Sequence, residues 1–227
     1  MSYQFDFLAL VPYWREFAMG VWLTLELSAV ATVLGFVFGT LCAIGRSSGS
    51  PGVKWVISAY VEVIRNTPLL VQIFLVYFGI ATLGVHLSAN FAAVAALVVN
   101  VTAYTCEIVR AGIESIHKAQ LEAAECLGLS RAQTYWHVIL RPAVERVYPS
   151  LTSQYVLLML ASSITSQISA EELTAVANRI QSDTFRSFET YIVVGVLYIA
   201  LSMVVRLGFG LFGLLMFVRR RKLGTSL

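Results

Sequence analysis

Long apolar stretches alternate with short polar ones along this chain. The first apolar run, Phe17 to Gly45, is long enough at about 1.5 Å per residue to cross a hydrocarbon core of about 30 Å with some tilt. Comparable runs at 55–83, 89–111, 148–168 and 191–218 predict four further membrane-crossing helices. Polar segments join them: Arg46 to Lys54 with its Ser, Gly and Pro residues, a turn at Gly84 to Ser88, a long stretch over 112–146, and Glu171 to Glu189. The pattern predicts an all-α fold, a polytopic integral membrane protein of about five transmembrane helices, organised as one domain over 1–227.

Polar residues inside the spans carry more information than the apolar background. Glu26 interrupts the first span, and a carboxylate at that depth is costly unless it faces protein or a cavity. Asn66-Thr67-Pro68 breaks the second, either as the capped start of a new helix or as a kink in a single long one. Glu62 and Arg65 stand three apart, a spacing that allows them to pair. In the third span Ala93, Ala96, Asn100, Tyr104 and Glu107 fall within about 80° of helical arc, with Ala111 below them. Such a stripe fits close helix packing in lipid, and it equally fits a solute path lined by Asn100, Thr102, Tyr104 and Glu107. The far end of the fourth span, Ala161 to Gln167, is weakly apolar and predicts partly irregular backbone. Before the first span, Met1 to Glu16 lacks the pattern of a cleaved leader and predicts a helix along the outer surface, anchored by Tyr13 and Trp14. Glu171 through Ile180 predicts an amphipathic helix, solvated or available to a receptor.

The 112–146 segment is the longest polar interruption. Good helix formers fill Lys118 to Leu127, Gly128 supplies a stop, and Ser130 with Gln133 has capping-box spacing for a second short helix from Arg131 to Leu140. Leu121, Ala124 and Gly128 stack on one shallow face. Two readings fit: a compact knob that another protein approaches, or an amphipathic loop on the lipid surface with Tyr135 and Trp136 at headgroup depth.

Composition agrees with a membrane solvent. Hydrophobic residues make up 58% of the 227, charged residues 13%, and mean hydropathy is +0.76, well outside the usage of soluble domains. The net charge of +3 matters less than where the cations sit. Arg46 and Lys54, then Lys118, Arg131, Arg141 and Arg146, then Arg219-Arg220-Arg221-Lys222 place three segments on one, cytoplasmic, side; the N-terminus is then outside and the C-terminus inside. Arg206 within the fifth span predicts pairing with a carboxylate such as Glu107, or with an anionic headgroup. Scattered basic residues exclude a nucleic-acid surface. Cys42, Cys106 and Cys126 and the single His86, His117 and His137 lack metal-ligand spacing, so neither metal nor cofactor is expected in this chain. No nucleophile and base arrangement suggests an enzyme. A phosphate-binding Gly-x-x-x-x-Gly-Lys-Ser/Thr loop is also missing from the sequence, so any nucleotide hydrolysis that drives this protein belongs to a separate subunit.

Three stretches resemble one family. Glu122-Ala123-Ala124, Gly128 and Leu140 near Pro142 look like the cytoplasmic coupling loop of bacterial ABC-importer permease subunits, with Arg141 an insertion between the usual Leu and Pro. Arg65-Asn66-Thr67-Pro68-Leu69-Leu70-Val71-Gln72 and Ala103-Tyr104-Thr105-Cys106-Glu107-Ile108-Val109-Arg110 are similar to permeases of the polar amino acid type, those for histidine, arginine, glutamate, glutamine or opines. The resemblance implies a transport subunit of an ATP-driven importer in the bacterial cytoplasmic (inner) membrane. It implies that Glu122, Ala123, Ala124 and Gly128 couple to a dimer of ATP-binding cassette subunits, which hold ATP and Mg. A second permease subunit, identical or homologous, and an extracytoplasmic solute-binding protein would complete the assembly. Asn100, Tyr104 and Glu107 are carried over as substrate-path residues. Where many amino-acid permeases have a basic residue and a Thr, this chain has Ala161 and Ser163. An ion-coupled carrier, or another membrane protein that works without nucleotide, is the competing reading.

Overall fold

A computed structural model describes residues 4–217, and every regular element among them is helical. A 3-10 turn over Leu8–Tyr13 runs directly into α1, Trp14–Ser48. Among the described residues no separate surface helix precedes the first span: the turn runs straight into it, and Trp14 is exposed at the junction. Only Gly49 and Ser50 separate α1 from α2, Pro51–Arg65, far fewer than the polar connection expected over Arg46 to Lys54. Pro51 explains the economy, because a proline at the first helical position surrenders an amide that would have had no partner.

The second span departs most from expectation. α2 and α3, Leu69–Thr82, meet at a bend of 109°, so 55–83 is not one straight crossing. Neither Asn66 nor Thr67 caps the new helix; Pro68 holds the N-cap position without a side-chain bond. Asn66 instead donates its side-chain amide back to the Glu62 carbonyl at 2.9 Å, and Thr67 donates its hydroxyl to the Val63 carbonyl at 2.6 Å. The expected Glu62 to Arg65 pair does not form either, since the Glu62 carboxylate accepts from Asn66 while Arg65 turns towards Glu107.

α4, Ala89–Glu114, is the axis of the molecule. Ala92, Ala93, Ala96, Leu97, Val101, Ala103 and Cys106 on it are buried. α1 lies along it through a small-residue stripe, Ala31, Gly35, Gly39 and Ala43, all buried. A Cβ at Gly39 would lie 2.5 Å from Thr105 Cβ, so the two backbones approach as only small residues allow.

α5, Lys118–Cys126, follows, and then one unbroken helix, α6, over 131–161. The expected separate helix ending at Leu140 is corrected: Thr134–Leu140 is π-helical and passes straight into Arg141–Ala161. Pro142 has no amide to give to the preceding turn, and a widened turn immediately before it lets the helix continue without that bond. Beyond Ala161 the chain tightens into a 3-10 helix, Ser162–Ile168. There Ser162, Ser163, Thr165 and Ser166 donate their hydroxyls to carbonyls three residues back. These bonds satisfy backbone that the tighter winding leaves exposed.

α7, Leu173–Thr184, is the amphipathic helix expected, burying Leu173, Val176, Ala177 and Ile180 against α1 and α8 while Arg179, Ser182 and Asp183 stay exposed. α8, Ser187–Met216, closes the fold with an outer surface of Met203, Val204, Leu207 and Leu211. Among the described residues three helices are long and apolar enough to cross a membrane, Leu8–Ser48, Ala89–Glu114 and Ser187–Met216, or four if α2 and α3 count as one broken span. The helix that carries the crossing expected at 148–168 opens on Arg141, Glu145 and Arg146 and is less apolar than these. Glu26 lies on the exposed face of α1 and does not face protein within this chain; Arg206 is likewise exposed and makes no ion pair with Glu107. The basic cluster Arg219 to Lys222 lies outside the described residues.

Candidate functional site

Two places concentrate polar chemistry. The first is the knob around α5. His117 caps its start, its Nδ1 accepting from the Ala119 amide. At its end the Gly128 amide donates to the Glu125 carbonyl and the Leu129 amide to the Ala124 carbonyl, at 2.9 and 3.1 Å. This is the paired bonding of a Schellman stop, and Gly128 takes the left-handed conformation it needs, φ +69°. Ser130 and Gln133 form a reciprocal capping box that starts α6 at once. Arg146 then ties the segment down, donating to both the carbonyl and the hydroxyl of Ser115 at 2.6 Å.

The knob is therefore a rigid elbow fixed to α4 and α6. Its orientation reverses one expectation: Ala124 is only 2% exposed, so that face packs on the chain itself. Glu122, Ala123, Glu125, Cys126, Leu127 and Gly128 face outwards, with Leu127 78% exposed. Leu127 is thus largely bare beside the carboxylates of Glu122 and Glu125 on a tightly capped turn.

The second place is a cavity of about 440 Å³ beside the break between α2 and α3. Arg65, Asn66, Thr67 and Pro68 of the break, Asn100 and Tyr104 of α4, and Gln154 of α6 line it. Gln72 holds the break open. Its side-chain amide donates to the carbonyls of Ile64 and Thr67, at 2.8 and 2.9 Å, and its oxygen accepts from Asn100 at 3.0 Å. Of the expected path residues, Asn100 and Tyr104 line this cavity, whereas Glu107 sits a turn further along and is not in its wall.

Glu107 gathers arginines from three helices. Arg46 of α1 bonds one oxygen, Arg110 bonds the other at 2.9 Å, and Arg65 of α2 approaches to 3.8 Å. The Arg65 guanidinium also lies over the Tyr104 ring, 5.6 Å from its centroid. Arg110 stands three positions from Glu107, whereas local spacing does not single out Arg46, Gln72 or Gln154 and pairs Arg65 with Glu62 instead. Arg46 and Glu107 are 61 positions apart, and no local spacing announces such a meeting.

Comparison with known proteins follows the same lines. Residues 35–216 match the model of the family described as binding-protein-dependent transport system inner membrane component. The chain is 35% identical over 189 residues to the probable glutamine ABC transporter permease protein GlnM of Bacillus subtilis, covering 83% of this chain and 88% of that one. It is 34% identical to the glutamine transport system permease protein GlnP of Escherichia coli K12, with 88% and 93% covered. Among solved structures, an amino acid ABC transporter crystallised with histidines superposes with a TM-score of 0.85 at 37% identity, over 93% of this chain and 99% of that one.

Proposed function

The chain belongs to the family of binding-protein-dependent transport system inner membrane components, and from that premise we propose that it is the permease subunit of an ATP-driven importer of polar amino acids. Relatives named as permeases for glutamine, arginine, cystine and nopaline support this substrate class. It is a transport subunit of the membrane and performs no covalent chemistry. The whole of 1–227 acts as one transmembrane domain, and the knob over 112–146 lies on the cytoplasmic side, with the N-terminus outside and the C-terminus inside.

The observation that carries the reading is the elbow around Gly128. Glu122, Ala123, Leu127 and Gly128 present a face held by caps at both helix ends and by the Arg146 bonds to Ser115. Ala124 contributes by letting α5 seat closely on α6. Such a face transmits a push without absorbing it. When a dimer of ATP-binding cassette subunits, holding ATP and Mg, closes, the two knobs of a paired permease move together. The attached helices then rock between outward-open and inward-open arrangements. A second permease subunit is required because the cavity beside the helix break is open on one side. An extracytoplasmic solute-binding protein delivers the solute, Asn100 and Tyr104 contact it, and Glu107 acts one turn below by gathering the arginines.

Glu122→Arg tests the coupling. ATP hydrolysis stimulated by the loaded binding protein in the reconstituted importer should fall by at least about tenfold, the scale of a lost charged contact, while the subunit still inserts. Unchanged stimulation would contradict the proposed role. Uptake that persists without ATP would favour a carrier instead.

A further inference from the structure

The cavity beside the helix break has an unbalanced charge. Arg65 is the one formally charged side chain in its wall. Around it, three guanidinium groups, Arg46, Arg65 and Arg110, face two carboxylates, Glu107 and Glu114. Arg46 and Arg110 already occupy both Glu107 oxygens, and Arg110 also holds Glu114. Arg65 is left with a 3.8 Å approach to Glu107, too long for a hydrogen bond, and with the Tyr104 ring beneath it. Its side chain is 43% exposed. Among the described residues no acceptor takes a hydrogen bond from its five N–H groups.

We propose that Arg65 is the carboxylate-binding residue of the solute path. The proposal rests on reading the cavity as that path. A planar guanidinium braced on an aromatic face presents a fork that matches a carboxylate bidentately. Every α-amino acid carries that carboxylate whatever its side chain. The opposite charge of the zwitterion finds its partners a short distance away in the same wall. Asn100 gives its amide N–H to Gln72, so its own carbonyl oxygen accepts from no described group, and the Gln154 amide oxygen stands on the facing helix. Arg65 exchanges its loose approach to Glu107 for the bound carboxylate. Glu107 keeps Arg46 and Arg110, so the exchange strands no buried charge. Recognition of the backbone part of the solute is thereby assigned to the break between α2 and α3, leaving side-chain selection to other residues.

The test is equilibrium binding to the permease and ATPase complex, without the solute-binding protein. The probes are radiolabelled L-glutamine, L-arginine and L-histidine, each competed by itself and by its α-amide. The parent complex should prefer the acid over the amide by about tenfold or more, the scale of one charge-assisted contact. Arg65→Gln should bring that ratio to within about twofold, and Arg65→Lys, which keeps the charge but loses the stacked fork, should retain only part of it. A ratio unchanged in Arg65→Gln overturns the proposal. So does an equal loss in Arg46→Gln, which would make the whole cluster structural. A parent complex that binds none of the probes, yet takes one up with ATP and the binding protein, also overturns it and leaves the importer reading standing. Absence of ATP-dependent uptake for a full amino-acid panel would instead sink the importer reading, and this one with it.

Discussion

Glu172 is a fully buried carboxylate at the start of α7. It accepts from the Ala175 amide and from the Tyr198 hydroxyl, each at 2.7 Å. Burial pushes its pKa up, and these hydrogen bonds only partly offset the shift. A carboxyl raised in the folded state contributes stability that is complete below its unfolded pKa and is lost as pH rises through the folded value. Glu172→Gln retains an acceptor for the cap and carries no charge. Its melting temperature should match or exceed the parent's at pH 8, with the gap closing towards pH 5; a variant less stable than the parent at pH 8 would contradict this account. Residue roles of this kind are partly legible in sequence. The Ser130 to Gln133 box and the Gly128 stop were readable because their bonds span three to five residues. Glu62 and Arg65 looked like a pair for the same reason, yet each found a partner that local spacing ranks no higher. Glu26 shows the opposite limit: its depth in the span was readable, but the face it occupies depends on how α1 packs.

At the scale of elements, the break between α2 and α3 organises the cavity, and Gln72 is its clamp. Its amide donates to the Thr67 carbonyl and to the Ile64 carbonyl, which also accepts from the Thr67 amide, and its oxygen fixes Asn100. Gln72→Leu fits the volume and removes all three bonds, leaving the buried Asn100 amide without its partner, so it should destabilise the region by about 1–3 kcal/mol. Hydrogen exchange is the direct readout: amides over 62–72 should exchange faster than in the parent, while those of α4 stay protected. Unchanged exchange at the break would show that backbone geometry alone holds it. Asn66-Thr67-Pro68 announced an interruption, because proline cannot donate and restricts the residue before it. The 109° turn was not legible, since it depends on Ile73 reaching Ala92, Ala93 and Ala96 of a later helix. The end expected at Leu140 fails for a related reason: the π-helical turn before Pro142 carries the helix on, so 131–161 is continuous.

For the whole molecule, the small-residue stripe of α1 on α4, the anchored elbow and the one-sided cavity form one mechanical unit. Under the proposed coupling, a push at Leu127 would reach α6 through the capping box and the end of α4 through the Arg146 bonds to Ser115, and both helices carry cavity residues. Hydrophobic periodicity was enough to reveal the all-helical class and the membrane solvent. It did not reveal that α2 turns away from α3 or that α6 opens on charges. The central claim is that the elbow faces the cytoplasm and is covered by an ATPase. Cys126 offers a native probe, being exposed on the elbow while Cys106 is buried and Cys42 half-buried. Labelling with a membrane-impermeant maleimide should succeed in everted vesicles, fail in right-side-out vesicles, and be blocked when the ATP-binding cassette subunits are present. Labelling from the outside, or labelling of the assembled importer as fast as of the permease alone, would contradict the account.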